Sequence, residues 1–305
     1  MKRIHRAHHR YGSRRKSSVF SAFLLILSWI AVLPVAALAF LSVWNDVQPR
    51  AEATEPTDQP VFAQLEPHAL DVSYEHVRSL KTLRGAEPTI LIYHTHTTEA
   101  YLKTPQSDYR ETSSWRTDDA DKNVIAVGEA LKEILERQYG FHVIHDTTNH
   151  EPPKLATSYD RSLVTMQKYH KKYPSIVLFI DLHRDAYQAV EKPTDYVIVN
   201  GTETAKLMFV VGRGDKYQEK PFYETNVTLA KHMTEYLQSI DSKLARPVRI
   251  KAGRYNQHVS PNCILVEVGH NANTLEQSIA AMPYLADSIA YAFPYSADPS
   301  MWSPN

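Results

Sequence analysis

The sequence is poor in cysteine and in glycine. Cys263 is the single cysteine in 305 residues. That excludes a disulfide framework and any zinc site built from several thiolates. Nine glycines against eighteen prolines point to rigid loops rather than flexible linkers. There is no internal repeat and no His-Glu-x-x-His helix motif of the thermolysin kind. No long basic stripe crosses the body, which argues against a nucleic-acid partner, whose binding needs a cationic footprint.

Apolar residues are not lacking. Hydrophobic side chains make up 43% and aromatics 10%, enough to bury a core, so the chain is not a disordered protein. The formal charge is zero, with 34 basic and 34 acidic residues, but it is unevenly spread. Residues 1–18 hold seven basic residues and no acid, and residues 19–44 hold no charge. The remaining 261 residues carry 27 basic and 34 acidic side chains, a net of −7.

The run 19–44, VFSAFLLILSWIAVLPVAALAFLSVW, is 26 residues long. About 20 apolar residues span a hydrocarbon core, so this predicts one N-terminal transmembrane helix with Trp44 at its interfacial end. The basic flank before it predicts a cytoplasmic N-terminus (tail 1–18) and an extracytoplasmic body. Residues 45–70, with Pro49, Pro56, Pro60 and Pro67, read as a stalk. The expected catalytic domain runs over 71–295, followed by a short tail at 296–305.

Within the body the pattern is α/β. Short apolar runs at 89–93, 141–145, 175–181, 196–200, 206–211, 248–251 and 263–269 read as strands. Helical periodicity marks 123–138, 160–173, 226–239 and 274–293. This alternation predicts a twisted, mainly parallel sheet with helices on both faces. Sites in such sheets form beyond the carboxyl ends of strands.

Three of those ends carry chemistry. The first reads Tyr93-His94-Thr95-His96-Thr97-Thr98-Glu99. If the chain stays extended, His94 and His96 project to one side, with Glu99 within reach after a turn. Neutral imidazoles with a carboxylate suit Zn2+; two solvated histidines are the plainer reading. The second reads Asp181-Leu182-His183-Arg184-Asp185, where either a metal or an ion-pair network through Arg184 would justify burying Asp181 and His183. The third places Glu267 inside Leu265-Val266-Glu267-Val268-Gly269, an acid in an apolar run. A carboxylate of raised pKa beside a metal-bound water is a good general base. The plainer reading there is a carboxylate at a surface edge. Together the three ends supply zinc ligands and a base, the apparatus of amide hydrolysis.

The segments ILIYHTHTTEAY (90–101), IDLHRDA (180–186) and LVEVGHNANTLE (265–276), with NQH at 256–258, resemble the signatures of the stage II sporulation protein P family. The resemblance covers roughly residues 70–293. It implies a membrane-anchored peptidoglycan hydrolase, an N-acetylmuramoyl-L-alanine amidase that also acts as an endopeptidase during forespore engulfment. It further implies two partners, the sporulation proteins D, a lytic transglycosylase, and M. The wider zinc amidase class is similar in the LVEVG carboxylate and the fold. That likeness implies His183 as a ligand and Glu267 as the catalytic carboxylate. It leaves His94 or His96 as the other histidine, and Glu99 or one of Asp118, Asp119 and Asp121 as the acidic ligand. Arg184 and the 102–122 loop, with Tyr109, Arg110, Trp115 and Arg116, are candidates to bind the glycan and peptide carboxylates. A zinc peptidase acting only on stem peptides and a non-catalytic wall-binding scaffold are the alternative readings.

Overall fold

A computed structural model of the chain describes residues 88–186, 195–214 and 219–296. Among them no helix is long and apolar enough to cross a membrane. The span at 19–44, the tail before it and the stalk at 45–70 lie outside the described residues, as does 297–305.

In chain order the elements are β1 (Thr89–Tyr93), α1 (Val124–Tyr139), β2 (His142–His145), α2 (Ser158–Lys172) and β3 (Ile176–Asp185). They continue with β4 (Tyr196–Val199), β5 (Thr202–Ala205), β6 (Leu207–Gly212) and α3 (Tyr223–Ile240). β7 (Arg249–Lys251), β8 (Cys263–His270), α4 (Leu275–Ile279) and α5 (Met282–Ser296) complete the body.

Six strands form one sheet in the order β2-β1-β3-β8-β6-β7. The first four run parallel, as the alternation of strands and helices requires. β6 runs antiparallel to β8, and β7 follows β6 in parallel, so the sheet is mixed at one end. The strand expected at 196–200 is not part of this sheet. It pairs with β5 as a two-residue hairpin, turning at Asn200-Gly201, both at positive φ. The expected closing helix is broken in two. α4 ends at Ile279, and Pro283 falls in the first turn of α5, where its missing N–H costs nothing.

Alternation along the strands divides the apolar side chains between two faces. Ile90, Ile92, Ile180, Leu182, Ile264, Val266, Phe209 and Val211 pack with Val127 and Leu131 of α1, Met233 and Leu237 of α3, and Leu285 and Ile289 of α5. Leu91, Tyr93, Phe179 and Cys263 face the other way, against Met166 of α2. Each such side chain taken fully from water contributes about 1.5–3 kcal/mol, so both layers hold the sheet between them. Helices therefore cover both faces, but unequally. On the α2 side the half made by β8, β6 and β7 carries only a small cluster, Met208, Val210 and Leu265 under Tyr255.

The helix ends follow their sequence signals. Asn123 caps α1 by accepting from Ile125 N at 2.8 Å, and Gly140 closes it in the left-handed conformation at φ 67°. Thr274 and Gln277 form a capping box at the start of α4.

Candidate active site

The carboxyl ends of β3 and β8 are aligned residue for residue, pairing Asp181 with Leu265 and His183 with Glu267. Residues in register project to the same face. Asp181, His183 and Glu267 thus stand on the α2 face, beyond where α2 packs. All three are at least nine-tenths buried.

β1 stops at Tyr93, and residues 95–98 turn. The two histidines are therefore not on one side. His94, the next residue in the alternation, drops to the opposite face. There its Nδ1 donates to Leu182 O at 2.8 Å, and its Nε2 lies 2.9 Å from His145 Nε2. A carbonyl can only accept, so the His94 proton sits on Nδ1. Gly128 of α1 makes room for this pair. A Cβ there would stand 2.6 Å from His145 Nε2.

The turn carries His96 and Glu99 back over the sheet. The His96 ring lies 5.4 Å from that of His183, and Glu99 Oε2 lies 3.3 Å from His183 Nδ1. Asp181 anchors the turn from below, accepting from Thr95 N at 2.8 Å and from Thr95 Oγ1 at 2.7 Å. Its Oδ1 also comes to 2.8 Å from His183 Nε2, an ion-pair contact without the direction of a hydrogen bond. The structure thus brings His96, Glu99, His183 and Glu267 together and leaves His94 outside. Asp118, Asp119 and Asp121 are exposed, and Asp119 caps a 3-10 turn by accepting from Asp121 N.

The electrostatics follow from burial and neighbours. Burial raises the Glu267 carboxyl to about 7, with Glu99 and Asp185 adding to the shift and His183 opposing it. Burial would also raise Glu99, but its contact with His183 and the charge of Arg184 hold it down at about 2. Burial disfavours a charge on His183, yet Asp181 and Glu99 overcome it and push the imidazole well above its usual range. Burial and the neighbouring His183 lower His96.

Arg184 is nine-tenths buried and occupied. Its guanidinium donates to Ala100 O and Trp115 O, both at 2.9 Å, and to Asp185 O at 3.4 Å, and its backbone N–H donates to Glu99 Oε2. It clamps the 99–116 loop to β3 rather than offering its donors outward.

Further residues also shape the site. Arg116 spans Glu151 at 2.5 Å and Glu99 at 3.5 Å. Tyr159, at the start of α2, stacks edge-on to His96 at 5.7 Å and to Tyr255 at 5.4 Å. Tyr255 and Asn256 take positive φ, uncommon for side-chain-bearing residues, and Asn256 Nδ2 donates to Tyr159 O. The NQH segment marked the second of these; nothing in the periodicity of α2 marked Tyr159.

Among the described residues no group of three His, Cys, Asp or Glu stands in a ready-made metal arrangement. The donors nonetheless suit one. The 3.3 Å between Glu99 Oε2 and His183 Nδ1 is about the separation of two ligands each near 2 Å from one ion. Asp181 on Nε2 is the outer partner that metal-binding histidines have. His96 Nδ1 and Glu267 Oε2 are buried without a hydrogen bond.

Among solved structures, the CwlD amidase of Clostridioides difficile in complex with the GerS lipoprotein is similar, with 15% identity and a TM-score of 0.45 over 68% of this chain and 98% of that one. The catalytic domain of CwlV, an N-acetylmuramoyl-L-alanine amidase from Bacillus (Paenibacillus) polymyxa var. colistinus, gives 13% and 0.41 over 69% and 98%. Stage II sporulation protein P of Bacillus subtilis (strain 168) is 28% identical over 217 residues, 68% of this chain. The match spans about half, 51%, of that relative's length. The family model for stage II sporulation protein P matches residues 44–290, most of the sequence. The chain belongs to the stage II sporulation protein P family.

Proposed function

We propose that this chain is a zinc-dependent peptidoglycan hydrolase that cuts the amide between muramic acid and L-alanine. The observation that carries the reading is Glu267. It is a buried carboxylate with a pKa near 7, set directly opposite His183 and within one cluster with His96 and Glu99. His96, Glu99 and His183 would hold the ion. A bound zinc ion supplies polarisation of the amide carbonyl and a more acidic attacking water. Glu267 takes the water's proton and passes it to the leaving amine, a task that suits a group poised near neutral pH. Asp181 fixes the His183 ring, and Arg184 and Arg116 fix Glu99. Family membership supports sporulation as the setting, with the sporulation proteins D and M as partners. The anchor at 19–44 and an extracytoplasmic body rest on the amino-acid sequence.

Digestion of purified sacculi followed by product analysis tests this. Free lactyl ends are the expected products. Free peptide ends alone would move the assignment to a stem-peptide endopeptidase. Sacculus binding with no products, with or without zinc, would reduce the chain to a scaffold.

A further inference from the structure

β7 (Arg249–Lys251) lies in a basic stretch of the chain. Residues 242–266 contain Lys243, Arg246, Arg249, Lys251 and Arg254 and no acid, within a body of net −7. Register places two of them on the face of the site. Leu265 lies two residues before Glu267 on β8 and pairs with Val210 of β6, which pairs with Arg249; Gly212 pairs with Lys251. Paired residues share a face, so Arg249 and Lys251 project on the same side as Glu267. Strands are spaced about 4.8 Å apart and rise about 3.3 Å per residue, so these positions lie about 12–16 Å from Glu267. An extended peptide covers that distance in about four to five residues, at about 3.3 Å each.

The ground between is prepared for such an arm. Met208, Val210 and Leu265 form an apolar floor, and Tyr255 rests on it. Gly212 and Gly253 let the Tyr255 ring sit close, since a Cβ on either would stand 2.8 Å from it. Tyr255 continues through Tyr159 to His96, so one aromatic wall runs from the metal-ligand cluster towards β7. No carboxylate among the described residues pairs with Lys251. Arg249 is 54% exposed and reaches Asp185 only at 3.9 Å, while Arg246 holds that carboxylate at 2.9 Å. Arg184, by contrast, is spent on backbone carbonyls.

We infer that Arg249 and Lys251, at the end of the Tyr159–Tyr255 wall, form a subsite for a carboxylate on the peptide arm of the substrate, a few residues from the bond that is cut. The inference rests on the hydrolase reading and names the substrate feature which that site selects. It is tested on the full chain with zinc, using a soluble muramoyl peptide with free carboxylates and the same peptide with its carboxylates amidated. Wild type should prefer the free acid. Arg249→Ala/Lys251→Ala should raise KM for the free acid about tenfold, leave kcat alone and barely change the amidated peptide. Equal effects on both peptides, or none, overturn the subsite. If neither peptide is cut, the same pair is titrated onto the Glu267→Gln chain. Binding that needs both the carboxylates and the β7 cations keeps the subsite while the hydrolase reading falls. Binding indifferent to them, or none, overturns it. Unchanged thermal melting of the double variant shows that the fold is intact.

Discussion

His183 and Glu267 face each other across a single pair of parallel strands, a fixed neighbour relationship rather than a meeting of loops. The distance between a ligand and a base is thus set by strand spacing, about 4.8 Å. Glu267→Gln should keep the fold and lower sacculus hydrolysis by about 10²–10⁴-fold, the range for losing a general base. Its thermal melting should match or exceed that of wild type, because a buried acid has been neutralised. Dye release from labelled sacculi checks the first effect and calorimetry the second.

The two histidines of the first strand end should separate cleanly. His96→Ala and His183→Ala should bring zinc content by elemental analysis to background in a folded protein. His94→Ala should keep zinc and instead lose about 2–3 kcal/mol, since Leu182 O and His145 lose their partner. Zinc lost in His94→Ala and kept in His96→Ala would reverse the assignment.

Arg184→Lys should behave as a stability variant. A lysine cannot reach Ala100 O and Trp115 O together, so about 2–4 kcal/mol should be lost in denaturant unfolding. The binding of carboxylate-bearing and amidated peptides should fall in parallel, unlike the selective loss expected at β7.

Asp287 offers a pH test away from the site. Burial raises its carboxyl to about 6, and the Tyr139 hydroxyl donates to it. The folded state holds this proton more tightly than the unfolded chain, whose aspartates titrate near 3.9. The contribution is therefore full below about pH 4, is lost as pH rises through 6 and is flat above. The loss is on the order of 3 kcal/mol. Asp287→Asn should remove this part of the slope in unfolding experiments between pH 4 and 7, leaving wild type the less stable at pH 7.

The fold was legible where burial leaves a run of apolar residues. TILIY, the end of IVLFID and CILVEVG appear as strands at the expected places, because a strand buried on both faces has no room for polar alternation. Strand direction is not written in such runs, and β6 proved antiparallel. The placing of His94 against His96 depended on where β1 stops. One residue of extended chain more or fewer exchanges the faces, and the polar stretch after Tyr93 does not say which. Glu267 stood out because an acid in an apolar run demands a reason. Arg184 equally invited a role, but its backbone partners come from residues 84 and 69 positions away. No local pattern could have shown them.

β3 and β8 are the two middle strands of the six, each hydrogen-bonded on both sides. Their amides can meet deuterium only through an opening that breaks the sheet, whereas β2 and β7 can fray alone. Hydrogen exchange should therefore be slowest at the residues bearing His183 and Glu267 and fast at Arg249–Lys251. The chemistry is mounted on the least yielding part of the molecule and the substrate-reading strand on one of its most yielding.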